Sequence, residues 1–150
     1  MEALSLGYKV IVLEPDPMSP AGAVASEHLR AAYDDEEALE SMGQRCDVVT
    51  TEFENIPAST LEFLTRFCPV RPNSKAVQVA QNRHREKTFA RTLGLATAPF
   101  LNVIADADLD QAETHVKFPA ILKSSELGYD GKGQAVVHSV DEARLAFTGM

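Results

Sequence analysis

"FPAILKSSELGYDGKGQAVV", residues 118–137, decides how this chain reads. Two apolar runs, "FPAIL" and "QAVV", flank three glycines, Gly128, Gly131 and Gly133, set around Tyr129, Asp130 and Lys132. The glycine order is the reverse of the GxGxxG dinucleotide fingerprint, and the stretch joins strand to strand rather than strand to helix. It also lacks the G-K-[ST] ending and following helix of a P-loop. A β-hairpin with a glycine-rich tip fits. Its glycines permit positive φ and let backbone N–H groups approach an anion. Lys132 would add charge from the tip and Lys123 from the end of the first strand. An exposed hairpin fits equally, because Asp-Gly is an ordinary turn signal.

Outward from this hairpin, the first half of the chain alternates strand and helix. "YKVIVLEPD" is a β-branched run suited to a buried parallel strand. Pro15, Pro17 and Pro20 enforce an irregular loop before "AGAVAS". "DDEEALESMGQR" has helical spacing, with acids where the helix dipole favours them. "CDVVTTEF" is the next strand. Pro57 suits the first turn of a helix continuing through Leu61, Leu64 and Phe67, with Asn55 as its cap. "CPVRPNS" begins with a short strand. This alternation predicts a parallel α/β sheet.

The second half opens at Ser74, placed to cap one long helix "KAVQVAQNRHREKTFARTLG" that stops at Gly94. "ATAPFLNV" reads as extended and "DLDQAETHV" as a helix. Ser139 with Glu142 forms a capping box for a last helix, "VDEARLAFTGM". Both ends of the chain look cut. The first strand carries only a helix stub before it, and the last region has one hairpin and a helix stub, so a fragment is expected.

The whole sequence sets outer bounds. Its 150 residues suffice for one domain or two small ones, and 45% hydrophobic with 24% charged residues is an ordinary globular composition. A formal charge of −8 argues against general nucleic-acid binding, which needs a basic field. No apolar run approaches the ~20 residues of a membrane span, and the start lacks the features of a secretion signal. Cys46 and Cys68 lack metal-ligand spacing and read as buried thiols in a reducing cytosol. The four histidines are scattered, without a pattern that would hold a metal.

Three further stretches carry chemical potential. Arg83, Lys87 and Arg91 recur every four residues in "QNRHREKTFAR" and share a helix face, with Glu86 beside them. That stripe is either solvated or offset by a bound anion. In "TEFENIP", Glu52 and Glu54 would point to one side at the carboxyl end of a strand, where open α/β sheets bind ligands. Exposed loop acids are the alternative. In "EPDPMSPAGAV", the prolines and Ser19 fix a rigid loop at the same sheet edge.

"DPMSPAGAVA", "CDVVTTEFENIP", "QNRHREKTFARTLGLATAP" and "FPAILKSSELGYDGKGQ", in this order and spacing, resemble the N5-carboxyaminoimidazole ribonucleotide synthetase family of ATP-grasp enzymes of purine biosynthesis. The resemblance covers nearly the whole chain. It implies an α/β fold with a partial Rossmann-like pre-ATP-grasp domain over residues 1–75, lacking its first strand. The beginning of an ATP-grasp domain with a glycine-rich hairpin lid would occupy residues 76–150. The implied reaction is ATP-dependent carboxylation of 5-aminoimidazole ribonucleotide with bicarbonate, through carboxyphosphate, releasing ADP and phosphate. Implied nucleotide-binding residues are Arg83, Lys123 and the loop Gly128, Tyr129, Asp130, Gly131, Lys132, Gly133 and Gln134. Ser19, Pro20 and Glu54 would border the ribonucleotide. No catalytic residue is assigned. Ligands for Mg²⁺ are expected beyond Met150, and the stretch alone is expected to be inactive. A cytoplasmic homodimer that binds neither nucleic acid nor membrane completes what the resemblance implies. Two alternatives stand beside it: another carboxylate–amine ligase, such as a formate-dependent glycinamide ribonucleotide transformylase, or a non-catalytic nucleotide-binding module.

Overall fold

The structure, a computed structural model, describes residues 2–126 and 133–150. They form two compact units, Met1–Gln78 and Val79–Met150.

In the first unit, α1 (Glu2–Ser5) leads to β1 (Ile11–Leu13), α2 (Pro20–Val24), β2 (Glu27–Leu29) and α3 (Glu36–Arg45). Then come β3 (Val49–Thr50), α4 (Ala58–Leu64), β4 (Val70–Arg71) and α5 (Ser74–Ala80), whose last two residues belong to the second unit. β1 pairs in parallel with β2, Val12 opposite His28, and β3 in parallel with β4, Val49 opposite Val70. The parallel α/β character expected from the alternation is present, as two separate strand pairs. β2 went unread in the sequence because its residues, Glu-His-Leu, carry no apolar alternation. Tertiary bonds create it: Ser26 and Glu27 both donate to Val10 O, and the His28 ring meets Glu14 O at 2.9 Å.

The helices follow local chemistry. Asp35 caps α3 by accepting from Ala38 N at 3.0 Å, and Glu36 and Glu37 occupy its first turn. The face carrying Leu39 turns inward, to join Val49, Ile56, Leu61, Leu64, Cys68, Val70 and Val77 in one core. Burying that many branched side chains is the main stabilising term of this unit. α4 departs from expectation: its cap position is Pro57, without a side-chain bond, so Asn55 does not cap it.

In the second unit, α6 (Arg83–Thr92) is followed by a 3₁₀ segment (Asp106–Gln111) and α7 (Ala112–His115). β5 (Ala120–Lys123), β6 (Gln134–Val137) and α8 (Val140–Thr148) complete it. β5 and β6 are antiparallel, with Ala120 opposite Val137 and Lys123 opposite Gln134, so the hairpin read from the sequence is present. Its core is small: Leu109, Val137 and Ala143 are buried, with Leu122, Phe118 and Phe147 packed against them.

The single long helix expected from Ser74 to Gly94 is two helices. Asn82 breaks it with extended backbone (φ −125°, ψ 116°) and caps α6 through Arg85 N, at 3.0 Å. Asn73, not Ser74, caps α5, accepting from Ala76 N at 2.8 Å. Gly94 does end α6, with φ +74°, a left-handed conformation that favours glycine. The helix expected in "DLDQAETHV" splits into the 3₁₀ segment and one α-turn. The capping box of α8 is half formed. Ser139 Oγ accepts from Glu142 N at 3.2 Å, but the Glu142 carboxylate takes the N–H of His138 instead.

Candidate functional site

Lys123 is the last residue of β5, and its side chain shares the exposed strand face with Ile121, away from the core that Ala120 and Leu122 meet. Gln134, directly opposite Lys123, opens β6 on the same face. Between them, Ser124 N donates to Gly133 O at 2.7 Å and closes the base of the hairpin. Gly133 has φ +67°, and a Cβ there would sit 2.6 Å from Ser124 Oγ, so only glycine fits this position. Gly128, Tyr129, Asp130, Gly131 and Lys132, the rest of the sequence-read loop, lie outside the described residues.

Arg83 is the first residue of α6, exposed, with its guanidinium 3.5 Å from the Glu86 carboxylate. Its backbone N–H donates to Ser125 O at 2.9 Å, which fixes the start of α6 against the chain leaving β5. Asn82 reinforces that junction: its Nδ2 donates to Glu126 Oε1 at 2.9 Å. Arg83 and Lys123 are separate candidates in the sequence, and the structure joins their elements within two residues of Lys123. Asn82 and Glu126 were missed as partners because the two lie 44 residues apart.

The cationic stripe of α6 is not uniform. Lys87 Nζ stands 5.1 Å and the Arg91 guanidinium 4.2 Å from the centre of the Phe100 ring, while Arg91 Nε donates to Thr97. These two cations hold the segment after Gly94 onto the helix. Arg83 is the stripe residue that stands at the hairpin base.

The other candidates sit in the first unit. Ser19 is buried, and its hydroxyl accepts from Gly22 N at 3.1 Å, capping the short α2 that Pro20 begins. Glu54 lies exposed in the turn between β3 and α4. β3 ends at Thr50, and Thr51 Oγ1 bonds to Phe53 O at 3.0 Å, so the alternation expected to align Glu52 with Glu54 is not maintained. Tyr33, unmarked in the sequence reading, ties the two loops together. Its hydroxyl donates to the Glu14 carboxylate, and its ring meets Phe53 with centroids 6.5 Å apart. Burial and then the Glu14 carboxylate push its pKa up to about 12. Cys46 and Cys68 are free thiols, both with pKa values raised, chiefly by burial.

Among the described residues no cluster of three or more His, Cys, Asp or Glu could hold a metal ion, and no helix is long and apolar enough to cross a membrane.

Comparison with known proteins places this geometry. A family model for the ribonucleotide synthetase pre-ATP-grasp domain matches residues 1–81, and one for the ATP-grasp domain matches residues 88–150. N5-carboxyaminoimidazole ribonucleotide synthase from Pseudomonas aeruginosa is 42% identical over 142 residues, covering 95% of this chain and 39% of the relative. The structure of N5-carboxyaminoimidazole synthetase from Staphylococcus aureus complexed with ADP superposes with a TM-score of 0.90 at 39% identity, over 97% of this chain and 39% of that one. The Aspergillus clavatus N5-carboxyaminoimidazole synthase, in complex with ADP and 5-aminoimidazole ribonucleotide, gives a TM-score of 0.75 at 27% identity, over 96% and 39% of the two chains. The chain thus spans about two fifths of the length of the relatives it matches.

Proposed function

On the premise that this chain belongs to the ribonucleotide synthetase pre-ATP-grasp family, with N5-carboxyaminoimidazole ribonucleotide synthases as its relatives, we propose that it works in ATP-dependent carboxylation of 5-aminoimidazole ribonucleotide. ATP phosphorylates bicarbonate to carboxyphosphate. The exocyclic amine of the ribonucleotide then takes the carboxyl group, and ADP and phosphate leave. In this reading residues 1–75 are the pre-ATP-grasp domain and 76–150 belong to the ATP-grasp domain.

The observation that carries the reading is the hydrogen bond from Arg83 N to Ser125 O, which brings the elements of two cationic side chains to one hairpin base. Phosphoryl transfer leaves little covalent work for a protein and depends on positioned positive charge. Lys123 and Arg83 are assigned to the nucleotide phosphates, with the backbone and side chains of Gly128 to Gln134 completing that contact. Carboxyphosphate hydrolyses readily, so residues that exclude water protect it. Ser19, Pro20 and Glu54 are assigned to the ribonucleotide side. Mg²⁺ would accompany the nucleotide and neutralise charge on its phosphates. The setting is a cytoplasmic homodimer.

Replacing Lys123 by Ala tests the assignment. Loss of a charge-assisted contact is expected to lower kcat/KM for ATP in the whole protein by roughly ten- to a hundredfold. Stability should move by less than about 0.5 kcal/mol, because Lys123 is exposed. An unchanged ATP dependence would return the hairpin to the status of a turn. ADP release that follows formate rather than bicarbonate would replace the carboxylation reading with a transformylase.

A further inference from the structure

Asn82 uses both ends of its amide. Its Oδ1 accepts from Arg85 N at 3.0 Å, and its Nδ2 donates to Glu126 Oε1 at 2.9 Å. The orientation follows from chemistry, since a backbone N–H requires the oxygen and the carboxylate requires the nitrogen. The preceding residues of the strand exit are held as well: Ser125 O accepts from Arg83 N at 2.9 Å, and Ser124 N donates to Gly133 O at 2.7 Å. Residues 124–126 are therefore gripped by the first turn of α6 on one side and by the hairpin base on the other.

We infer that Asn82 and Glu126 are positioning residues for the nucleotide. Their hydrogen bond locks the helix start that carries Arg83 to the strand exit that carries Lys123, and so sets the spacing of the two cations before nucleotide arrives. This rests on the nucleotide reading above. A pair of long cationic side chains on independently moving elements loses affinity each time those elements must be ordered on binding, whereas a preset pair does not. A cap needs only the oxygen of Asn82, and aspartate supplies that equally well. The Nδ2 bond to Glu126 is the part that a purely capping role leaves unexplained.

The test is ATP binding by titration calorimetry in the whole protein, with thermal unfolding in parallel. Asn82→Asp keeps the cap, loses the donor and sets two carboxylates together. It is expected to weaken ATP binding about tenfold at an unchanged melting temperature. Glu126→Ala removes a negative charge near the site, so simple electrostatics would tighten ATP binding. Positioning requires the opposite, a weakening of about threefold to tenfold. The double variant Asn82→Asp with Glu126→Gln reverses donor and acceptor at constant net charge. It is expected to restore affinity to within about threefold of the parent. Parent-like affinity in Asn82→Asp, tighter binding in Glu126→Ala, or no rescue in the double variant would each overturn the inference. A parent protein that binds no ATP removes the nucleotide reading, and this role with it.

Discussion

The two units solve the problem of burial differently. Met1–Gln78 gathers eight buried apolar residues around its parallel strand pairs, whereas among the described residues of Val79–Met150 four are buried, Leu109, Ala112, Val137 and Ala143. The second unit's hairpin has one covered face, and Ile121 and Val136, directly opposite each other, are 56% and 62% exposed on the other. In place of a deep core it uses surface devices. Arg144 reaches the carboxylates of Asp106 and Asp110, Asp108 accepts the N–H groups of Ile104 and Ala105, and Ser139 caps α8. Exposed ion pairs contribute little each, so a unit held this way opens more readily than one held by a core. The proposed nucleotide residues Arg83 and Lys123 sit on the shallower unit.

The largest break in this comparison should come from matched leucines. Leu61 is 1% exposed in the large core and Leu109 is 2% exposed in the small one. Leu61→Ala is expected to cost about 4 kcal/mol, and Leu109→Ala about 2 kcal/mol, because a small core collapses around a cavity more easily. Urea unfolding measures both, and equal costs would mean that the units are packed alike. Caps come next. Asp35→Ala at α3 and Ser139→Ala at α8 remove equivalent side-chain acceptors, so each should cost about 1 kcal/mol. Hydrogen exchange would assign the Ser139 loss to the second unit and the Asp35 loss to the first.

Acid and base should separate the units by smaller margins. The N–H groups of Ala105 and Ile104 hold the Asp108 pKa below 3.8, and His138, by its N–H and ring, holds Glu142 below 4.5. A carboxylate with a folded pKa lower than its unfolded one contributes stability above the unfolded value and loses it as pH falls through the folded one. In the first unit Glu27 is lowered likewise by Arg45. Proteolysis below about pH 4 should therefore open the second unit first. The alkaline side reverses the order. Tyr33, raised from 10.0 to about 12, contributes stability below pH 10 that is lost as pH rises through about 12. Tyr33→Phe should abolish the highest-pH step in the tyrosinate absorbance titration, and persistence of that step would place the perturbed group elsewhere.

Legibility in the sequence followed the range of the interactions. The hairpin, the acids and spacing of α3, the Ser139 cap and the Gly94 stop all depend on residues within one or two turns, and the structure has each of them. The break at Asn82 was hidden because "VAQNRHREK" has good helix formers on both sides. The strand β2 was hidden because it is held by bonds to Val10 O and Glu14 O, distant in sequence, and not by an apolar alternation of its own. Of the candidate site, Arg83 and Lys123 were visible as residues, while the bonds joining their elements were not.

By itself the sequence determined the alternation of strand and helix in the first unit, the hairpin with its positive-φ glycine, and the resemblance to the family. Those are properties of neighbouring residues, set by backbone sterics, capping chemistry and the period of apolar side chains. Tertiary structure alone decided where one long helix becomes two, that Asn82 rather than Ser74 starts the helix carrying Arg83, and that Ser125 and Glu126 receive it. The reason is physical: an amide and a carboxylate 44 residues apart leave no local trace, and only folding brings them to 2.9 Å.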